Sequence, residues 1–326
     1  MNIYFAPLEG ITGYVYRNAH HRVFGGADRY YTPFLSPNYT HRLKGKEAGD
    51  VDPANNEGIP LVPQILTNRA EDFLWAAGEL ADRGYREVNL NLGCPMPTVV
   101  KKRRGAGQLA DLDALDLFFE KICSGMEQDR DPDRDGKRSW KLSVKTRIGM
   151  DTAEKAEALV GIYNRYPISE LIVHPRTQKD LYRGEPDLET FAMILDRSVH
   201  PVVYNGDICT VSDYQRITAR FPACRGVMIG RGLIANPALA REIRTGEPLR
   251  IEELRLFHDE VFKALQEWLP GQAPLIGKMK ELWFYMGNNF RDADRSLKEI
   301  RKAKNIVSYQ AAVRTLFAQG RFAEKQ

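Results

Sequence analysis

The segment NLNLGCPMPTVVKKRRGAG, from Asn89 to Gly107, places several groups that could do chemistry within nineteen residues. Cys94 lies between Gly93 and Pro95, which favour an irregular loop at the thiol over a helix or a strand. A neutral thiol with an ordinary pKa of about 8.5 can donate a proton, whereas a thiolate is a nucleophile. The residues alone leave both roles open for Cys94.

The remaining composition narrows the class of protein. Four cysteines without a CxxC pair indicate neither a disulfide framework nor a zinc site, so no metal is expected and a reducing cytoplasm is favoured. Cys123, Cys209 and Cys224 lie in apolar or helical segments and are interpreted as small hydrophobic side chains. The net charge of +4 excludes a strongly acidic surface without establishing a nucleic-acid partner. No stretch is long and apolar enough to predict a membrane span.

The elements that must position Cys94 follow from a repeated pattern. Amphipathic segments separate eight short apolar, β-branched runs: IYFAP, RYYTPF, PLVPQIL, REVNLNL, KLSVKTRI, ELIVHP, PVVYNG and RGVMIG. A strand followed by a helix eight times is the order of a closed (β/α)8 (TIM) barrel of the α/β class. An open, doubly wound sheet is the alternative, but eight units and the absence of GxGxxG after the first run count against it.

The pattern changes after Pro237. No strand run follows, and ELRLFHDEVFKALQEWL and DRSLKEIRKAKNIVSYQAAVRTLF carry apolar residues at spacings of three and four, with PGQAP as a break between them. We therefore predict two domains. Residues 1–245 form the catalytic barrel, and residues 246–326 form a small all-helical domain.

Chemistry in such a barrel comes from the carboxyl ends of the strands. Alternation along the fourth and fifth runs directs Asn89, Asn91 and Lys145 into the barrel. The amides can bind a ligand or satisfy neighbouring barrel groups. An inward ammonium requires an anion, which is either a ligand or a carboxylate of a neighbouring strand. His174 ends the sixth run, where a structural and a chemical role are equally compatible with the pattern.

Glycine-rich turns follow the last two runs. They read NGD, from Asn205 to Asp207, and GRG, from Gly230 to Gly232. Loops at these two positions are the usual phosphate site of this fold, because small residues expose backbone N–H groups there. Arg231 adds a planar guanidinium. The sequence therefore predicts a phosphorylated ligand.

The quoted motifs resemble a known family, the tRNA dihydrouridine synthases, which are flavin enzymes that reduce uridine in RNA. Its signature is matched, at the family's spacing, by Asn91, Gly93, Cys94, Pro95, Val99, Gly105 and Ala106. The resemblance continues through APLEGITG, VKTRIG, VHPRT, YNGDI and MIGRG into the helical tail. It implies FMN in the barrel, NADPH or NADH as reductant, tRNA as partner and a helical domain that binds RNA. We expect a cytoplasmic monomer.

The resemblance also implies residue roles. Cys94 would protonate C5 of the uracil as hydride reaches C6, and Asn91 would bond the uracil edge. Arg176, in the loop HPRTQKDLYRG, would contact RNA. The residues implied for the cofactor are Pro7 and Leu8 against the flavin ring with Glu9 beside them, Gln64 at its pyrimidine edge, Lys145 near N1 and O2, and His174, Asn205, Gly206, Asp207, Gly230 and Arg231 along the ribityl chain and phosphate.

Two groups of basic residues are interpreted as RNA contacts, because a target base must leave its stack to reach a barrel mouth. One group follows the cysteine and the other lies in the tail, where a helical spacing would place its members on one face. A solvated turn and a salt-bridged surface helix are the respective alternatives. The residues are Lys101, Lys102, Arg103 and Arg104 in the first group, and Arg291, Arg295, Lys298 and Lys302 in the second.

The sequence departs from the family pattern at two positions, with Thr98 where many relatives have lysine and Leu8 where many have methionine. These changes leave the modified uridine open. Three other functions are compatible with parts of the pattern: an FMN barrel that reduces a free pyrimidine or another small enone, a catalytically silent RNA-binding protein, and the same reduction carried out on ribosomal RNA.

Overall fold

A computed structural model describes residues 1–43, 45–128 and 139–323 of the chain. The last three residues of the predicted helical domain, 324–326, lie outside the described residues.

The described residues form one parallel sheet of nine strands. The order β3-β2-β1-β9-β8-β7-β6-β5-β4 leaves β3 and β4 at its two ends. These two strands are separated only by Pro63, so the sheet closes on itself into a barrel. The strands are β1 (Asn2–Phe5), β2 (Arg29–Tyr31), β3 (Leu61–Val62), β4 (Gln64–Ile65), β5 (Glu87–Leu92), β6 (Lys141–Arg147), β7 (Ile168–His174), β8 (Val202–Asn205) and β9 (Gly226–Ile229).

Pro63 explains why eight predicted runs give nine strands. A proline has no N–H to donate to a ladder, so the third run divides into β3, which pairs with β2, and β4, which pairs with β5. The carbonyl of Pro63 still accepts a hydrogen bond from the Asn89 N–H at 2.8 Å. The predicted barrel is confirmed.

Helices surround the barrel and cover the outer faces of its strands. Outward residues of β5, such as Val88 and Leu90, are fully buried together with Phe73 and Phe119 of the covering helices. The helices are α1 (Tyr14–Val23), α2 (Gly45–Asp50), α3 (Ala70–Asp82), α4 (Pro97–Val100), α5 (Leu112–Gln128), α6 (Ala156–Tyr163), α7 (Leu188–Arg197), α8 (Val211–Arg220), α9 (Arg231–Ala235) and α10 (Leu239–Thr245). No helix within the described ranges is long and apolar enough to cross a membrane.

A separate, smaller cluster fills the inside of the barrel. Its members are Tyr4, Ala6, Tyr31, Val62, Ile172, Val203 and Met228, with the partly buried Leu8 above them. The interior is thus a packed core below and a polar region near the carboxyl ends of the strands, as expected for this fold.

Four helices follow α10, as predicted: α11 (Ile251–Trp268), α12 (Gln272–Met286), α13 (Asp294–Lys302) and α14 (Ile306–Gln319). The break lies at Gly271, which has φ +84°. Asn305 separates α13 from α14, because its side chain accepts a hydrogen bond from the Ser308 N–H and caps α14. The sequence pattern missed a two-residue antiparallel pair, β10 (Phe290–Arg291) with β11 (Arg321–Phe322), since such short strands show no periodicity.

The helical region is fixed to the barrel through α1. Phe257 of α11 contacts Tyr16 and Phe24, with ring centroids 5.2 and 5.4 Å apart. The buried His20 bonds the Pro237 carbonyl at 2.9 Å. The predicted domain boundary at residues 245 and 246 falls between α10 and α11 and stays a prediction.

Candidate active site at the barrel mouth

Asn91 anchors the loop that carries Cys94. The backbone N–H groups of Gly93 and Cys94 donate to its Oδ1 at 3.0 and 2.9 Å. Because these N–H groups can only donate, the amide oxygen must face the loop. Its Nδ2 donates to Gln64 Oε1 at 2.7 Å. One Asn91 N–H then remains without a partner among the described residues and can reach a ligand.

The amide chain continues across the barrel. Gln64 Nε2 donates to Asn89 Oδ1 at 2.8 Å, and Asn89 Nδ2 donates to Ser143 Oγ at 3.0 Å. Strand register places these groups side by side, since Gln64 pairs with Asn89 and Asn89 pairs with Ser143. Asn89 is therefore a member of an internal polar network, which was one of its two predicted roles, and the network fixes the orientation of Asn91 at its end.

Cys94 is a partly buried, free thiol. Burial raises the pKa of this thiol, although a backbone hydrogen bond from Met96 and the charges of Arg147 and Lys145 act in the opposite direction. The thiol is thus protonated at neutral pH, which fits a proton donor better than a resting thiolate. Of the two roles that the sequence leaves open, burial of the thiol favours the acid.

Gly105 closes the loop against Cys94. Its φ is +55°, and an added Cβ would lie 2.8 Å from the Cys94 carbonyl oxygen and 3.0 Å from its Cβ. The Ala106 N–H donates to the same carbonyl at 3.1 Å. A glycine is required here by both the backbone conformation and the close approach.

Lys145 lies beside Asn91, its register partner on β5. Burial, with the nearby charge of Arg147, lowers the pKa of Lys145 to about 7. No carboxylate among the described residues pairs with it, so the internal ion pair that the sequence allowed is not formed. An ammonium in this position is suited to an anionic ligand.

His174 and Arg176 form one buried unit. Arg176 Nη1 lies 3.1 Å from His174 Nε2, and because a guanidinium only donates, the histidine proton must be on Nδ1. Burial and the surrounding cations hold the pKa of His174 well below its usual value. Arg176 is 1% exposed, and its other donors bond Asp207 and the carbonyls of Arg183 and Gly184. This geometry does not support the predicted RNA contact of Arg176.

Asp207 joins the two glycine-rich turns. Its carboxylate accepts hydrogen bonds from Arg176 and Arg231. Burial acts to raise its pKa, but these two arginines lower it below the ordinary value. The backbone N–H groups of Gly206 and Gly230 donate no hydrogen bond within the described part of the chain. Free N–H groups next to Arg231 provide the elements of a phosphate site.

The remaining predicted cofactor residues contribute in different ways. Asn205 Nδ2 donates to the Met228 carbonyl at 2.8 Å and so ties β8 to β9. Leu8 packs on the interior cluster, next to the partly buried Pro7. The Glu9 side chain is exposed and pairs with Lys46 at 3.0 Å, and its negative charge acts to raise the pKa of Cys94.

Residues 101–104, here called the basic loop, follow α4 directly. Lys101, Lys102 and Arg103 are exposed and make no ion pair with any described residue. Arg104 differs, because its Nη1 donates to Ser36 Oγ at 3.0 Å. Three of the four predicted cations are therefore available to a polyanion.

The cations of the tail are also exposed. Arg295, Lys298 and Lys302 lie on one face of α13, and none forms an ion pair with a described residue, so the salt-bridged alternative is not seen. Arg291 was expected on the same helical face, and this was wrong. It lies in β10, because α13 begins only at Asp294.

Sequence reasoning assigned no role to Arg147 or Tyr182. Arg147 is buried and supports the cysteine loop, with its Nε 2.9 Å from the Gly93 carbonyl. Tyr182, 52% exposed, lies between Arg147 and Arg231, whose guanidinium carbons are 5.4 and 5.1 Å from its ring centroid. Alternation on β6 could have identified Arg147, whereas a loop residue such as Tyr182 left no signal. No group of three or more metal-ligating side chains was found within the described ranges.

The barrel is similar in fold to two solved proteins. Morphinone reductase shares 14% identity at a TM-score of 0.52, over 78% of this chain and 88% of that one. A histamine dehydrogenase from Rhizobium sp. 4-9 shares 12% identity at a TM-score of 0.55, over 75% and 46% of the two chains. These likenesses concern the fold.

The family follows from the sequence match. A model of the dihydrouridine synthase family matches residues 4–316, so the chain belongs to that family of oxidoreductases, as predicted. Members of the family reduce uridine in tRNA and use a flavin with a nicotinamide reductant.

Relatives across several bacteria are similar over most of the chain. A tRNA-dihydrouridine(16) synthase of Neisseria meningitidis serogroup B is 27% identical, over 94% of this chain and 93% of its own. One from Ralstonia nicotianae is 30% identical, over 73% and 71%. A tRNA-dihydrouridine synthase B of Pseudomonas putida is 28% identical, over 82% and 75%.

Proposed function

We propose that this protein reduces the C5–C6 double bond of specific uridines in tRNA to dihydrouridine, in the cytoplasm, with FMN as cofactor and NADPH as the reductant. The observation that carries the proposal is the anchoring of a neutral Cys94 by Asn91, beside an ammonium that lacks a carboxylate partner. A proton donor and an anion site at one barrel mouth are what this reduction requires.

The residues present fit FMN. Lys145 supplies a cation without an internal partner, and the N–H groups of Gly206 and Gly230 are free to bind a phosphate with Arg231. When bound, FMN supplies the hydride that adds to C6 of the uracil. The remaining residues proposed to line the cofactor are Pro7, Leu8, Gln64, His174, Asn205 and Asp207, together with the backbone of Glu9.

Cys94 donates its Sγ proton to C5. Its raised pKa keeps that proton in place until the base arrives. The thiolate left behind lies in the field of Arg147 and Lys145, which both act to lower the pKa of Cys94. The free N–H of Asn91 is available to a uracil oxygen, so one residue both holds the acid and orients the base.

The target uridine must be turned out of its stack, which requires a grip on the RNA around it. The exposed cations of the basic loop lie on the same segment as Cys94, and those of α13, with Arg291, provide a second set of phosphate contacts. Arg104 and Arg176 position their neighbours through internal bonds.

The direct test is to incubate the FMN-loaded protein with NADPH and unmodified tRNA and to map dihydrouridine nucleotide by nucleotide. Cys94→Ala should keep the yellow colour of FMN and lose most product, while Cys123→Ala, on α5 away from the mouth, serves as the matched control. Full activity of Cys94→Ala would refute the acid. Product from ribosomal RNA, free uracil or a small enone but not from tRNA would favour the corresponding alternative, and a comparison with NADH tests the reductant.

A further inference from the structure

Tyr39 has the most exposed large apolar side chain in the described part of the protein, at 86%. Its ring contacts no other aromatic ring or cation among the described residues, and its hydroxyl makes no hydrogen bond there. A single exposed apolar side chain is common on protein surfaces. What distinguishes Tyr39 is how firmly its backbone is held and where.

The turn at Tyr39 is closed by its neighbours. Asn38 Oδ1 accepts a hydrogen bond from the Thr40 N–H at 2.9 Å, and the Asn38 carbonyl accepts one from the His41 N–H at 3.0 Å. His41 has φ +48°, which completes a tight reversal. The backbone of the tip that carries Tyr39 is therefore held by hydrogen bonds within the turn, although the ring itself is unsupported.

The far side of the turn is fixed on α3. The His41 ring stacks on Trp75 with centroids 4.9 Å apart and planes 5° from parallel, and its Nε2 lies 3.2 Å from Asp72 Oδ1. Because the backbone on this side of the turn is already held, contact through Tyr39 would order mainly its own side chain and not the loop.

The near side is fixed to the loop of the catalytic cysteine. Ser36 Oγ accepts a hydrogen bond from Arg104 at 3.0 Å, and the Ser36 N–H donates to Glu47 at 3.0 Å. Gly105, the residue after Arg104, is in contact with Cys94. Tyr39 is only three residues from Ser36, so its Cα lies within roughly 11 Å of the Ser36 Cα.

We propose that Tyr39 is a stacking platform for an unpaired nucleobase of the RNA, close to the uridine that Cys94 protonates. This inference rests on the proposed function and adds a positioning residue to it. The unpaired cations of the basic loop favour a polyanionic partner over a protein surface. An unstacked base offers a planar face to an aromatic ring whatever its identity. Tyr39 thereby compensates for part of the stacking that the extruded region loses.

The first test measures tRNA affinity of the FMN-loaded protein. Tyr39→Ala should weaken binding by roughly 5- to 150-fold, which corresponds to the stacking of one base, while Tyr39→Phe and Tyr39→Trp should retain it. The loss should be equal at all salt concentrations, because no phosphate contact is removed. Val199→Ala is the control, since Val199 is 71% exposed and precedes β8 at the opposite end of the barrel.

The second test identifies the base. The target tRNA is prepared with one abasic site at each unpaired position near the modified uridine, and both proteins are titrated with each RNA. At one position the abasic site should weaken binding to the wild type and leave Tyr39→Ala unaffected. Wild-type affinity of Tyr39→Ala, or additive losses at every position, would overturn the stacking role. Such a result, with dihydrouridine still formed by the wild type, leaves the proposed function standing, whereas a wild type that forms none in tRNA removes both.

Discussion

Replacing Asn91 by alanine should lower both the stability of the protein and its catalytic rate, and the two losses can be measured independently. The change leaves Gln64 Oε1 without its donor in a residue that is 1% exposed, and leaves the half-buried N–H groups of Gly93 and Cys94 without their acceptor. A buried orphan acceptor costs about 1–3 kcal/mol and each bond to a half-buried N–H contributes about 0.5–1 kcal/mol. The free energy of unfolding should fall by about 2–5 kcal/mol.

The catalytic loss should have a different pattern. A displacement of about 1 Å at a reacting group can cost roughly 100-fold in rate, so kcat of Asn91→Ala should fall about 100-fold, with a smaller change in KM for tRNA. Asn91→Asp keeps the acceptor for Gly93 and Cys94. The amide chain can also reverse behind it, because Gln64 and Asn89 can both flip and the Ser143 hydroxyl can donate.

The aspartate variant should therefore lose about tenfold at most, from the missing N–H and the added negative charge near Cys94, and should unfold within about 1 kcal/mol of the wild type. Product formation under saturating NADPH and urea unfolding measure the two quantities. Asn164→Ala is the matched control, because Asn164 also holds backbone groups, the Val199 N–H and the Arg197 carbonyl, but far from the mouth. Equal loss of kcat in Asn91→Asp and Asn91→Ala would refute the anchoring role.

Three further changes test neighbouring parts of the site. The pKa of Lys145 is about 7 in the folded protein and about 10.4 in the unfolded chain. Between these pH values the unfolded chain binds more protons than the folded protein. The FMN-free protein should therefore become more stable to urea from pH 7 to 9. In Lys145→Met, the free energy of unfolding should no longer show this rise with pH. Gly105→Ala should destabilise more than Gly58→Ala, which shares a positive φ but meets nothing within 4 Å, and should reduce kcat. Neutralising the three exposed cations of the basic loop should lower the salt slope of tRNA binding by about 2–3.

Each of these outcomes has a clear opposite. An unchanged pH slope in Lys145→Met would show that the charge is balanced elsewhere. If Gly105→Ala and Gly58→Ala lower the thermal stability equally, the close approach of Gly105 to Cys94 adds nothing to the cost of the substitution. A salt slope that stays the same without the three cations would remove the basic loop from the RNA interface.

The interior of the site was predictable because strands impose strict alternation. Once β5 and β6 were recognised, Asn89, Asn91 and Lys145 had to face inward, and the structure pairs Asn91 with Lys145 in register. The proline that divides the third run was also visible, but its effect depended on closure of the sheet between β3 and β4. Local chemistry thus determined the strands, while their number depended on tertiary pairing.

The loops were not predictable in the same way. In the sequence, Arg176 and Arg103 both look like arginines in surface loops. In the structure, Arg176 is 1% exposed and Arg103 is on the surface. The difference arises from carbonyls and a carboxylate that the loop after β7 brings around Arg176, which no local pattern encodes. The sequence likewise gives no sign of a role for Tyr39. Its exposed ring is notable only in the structure, where the neighbouring Ser36 and His41 contact Arg104 and Trp75.

At the barrel mouth, the partners of each cation distinguish a structural role from a ligand-binding role, whereas the residue type does not. Arg147 and Arg176 are buried, but their donors are used by carbonyls of the surrounding loops and by Asp207, so they hold the walls in place. Lys145 is close to them and has no such partner. A partly buried ammonium without a partner is costly, which is why the pKa of Lys145 falls to about 7, and an anion bound beside it would stabilise the charged form. The exposed cations of the basic loop also lack a carboxylate partner among the described residues, which supports the proposal that they bind a second anion, the RNA backbone.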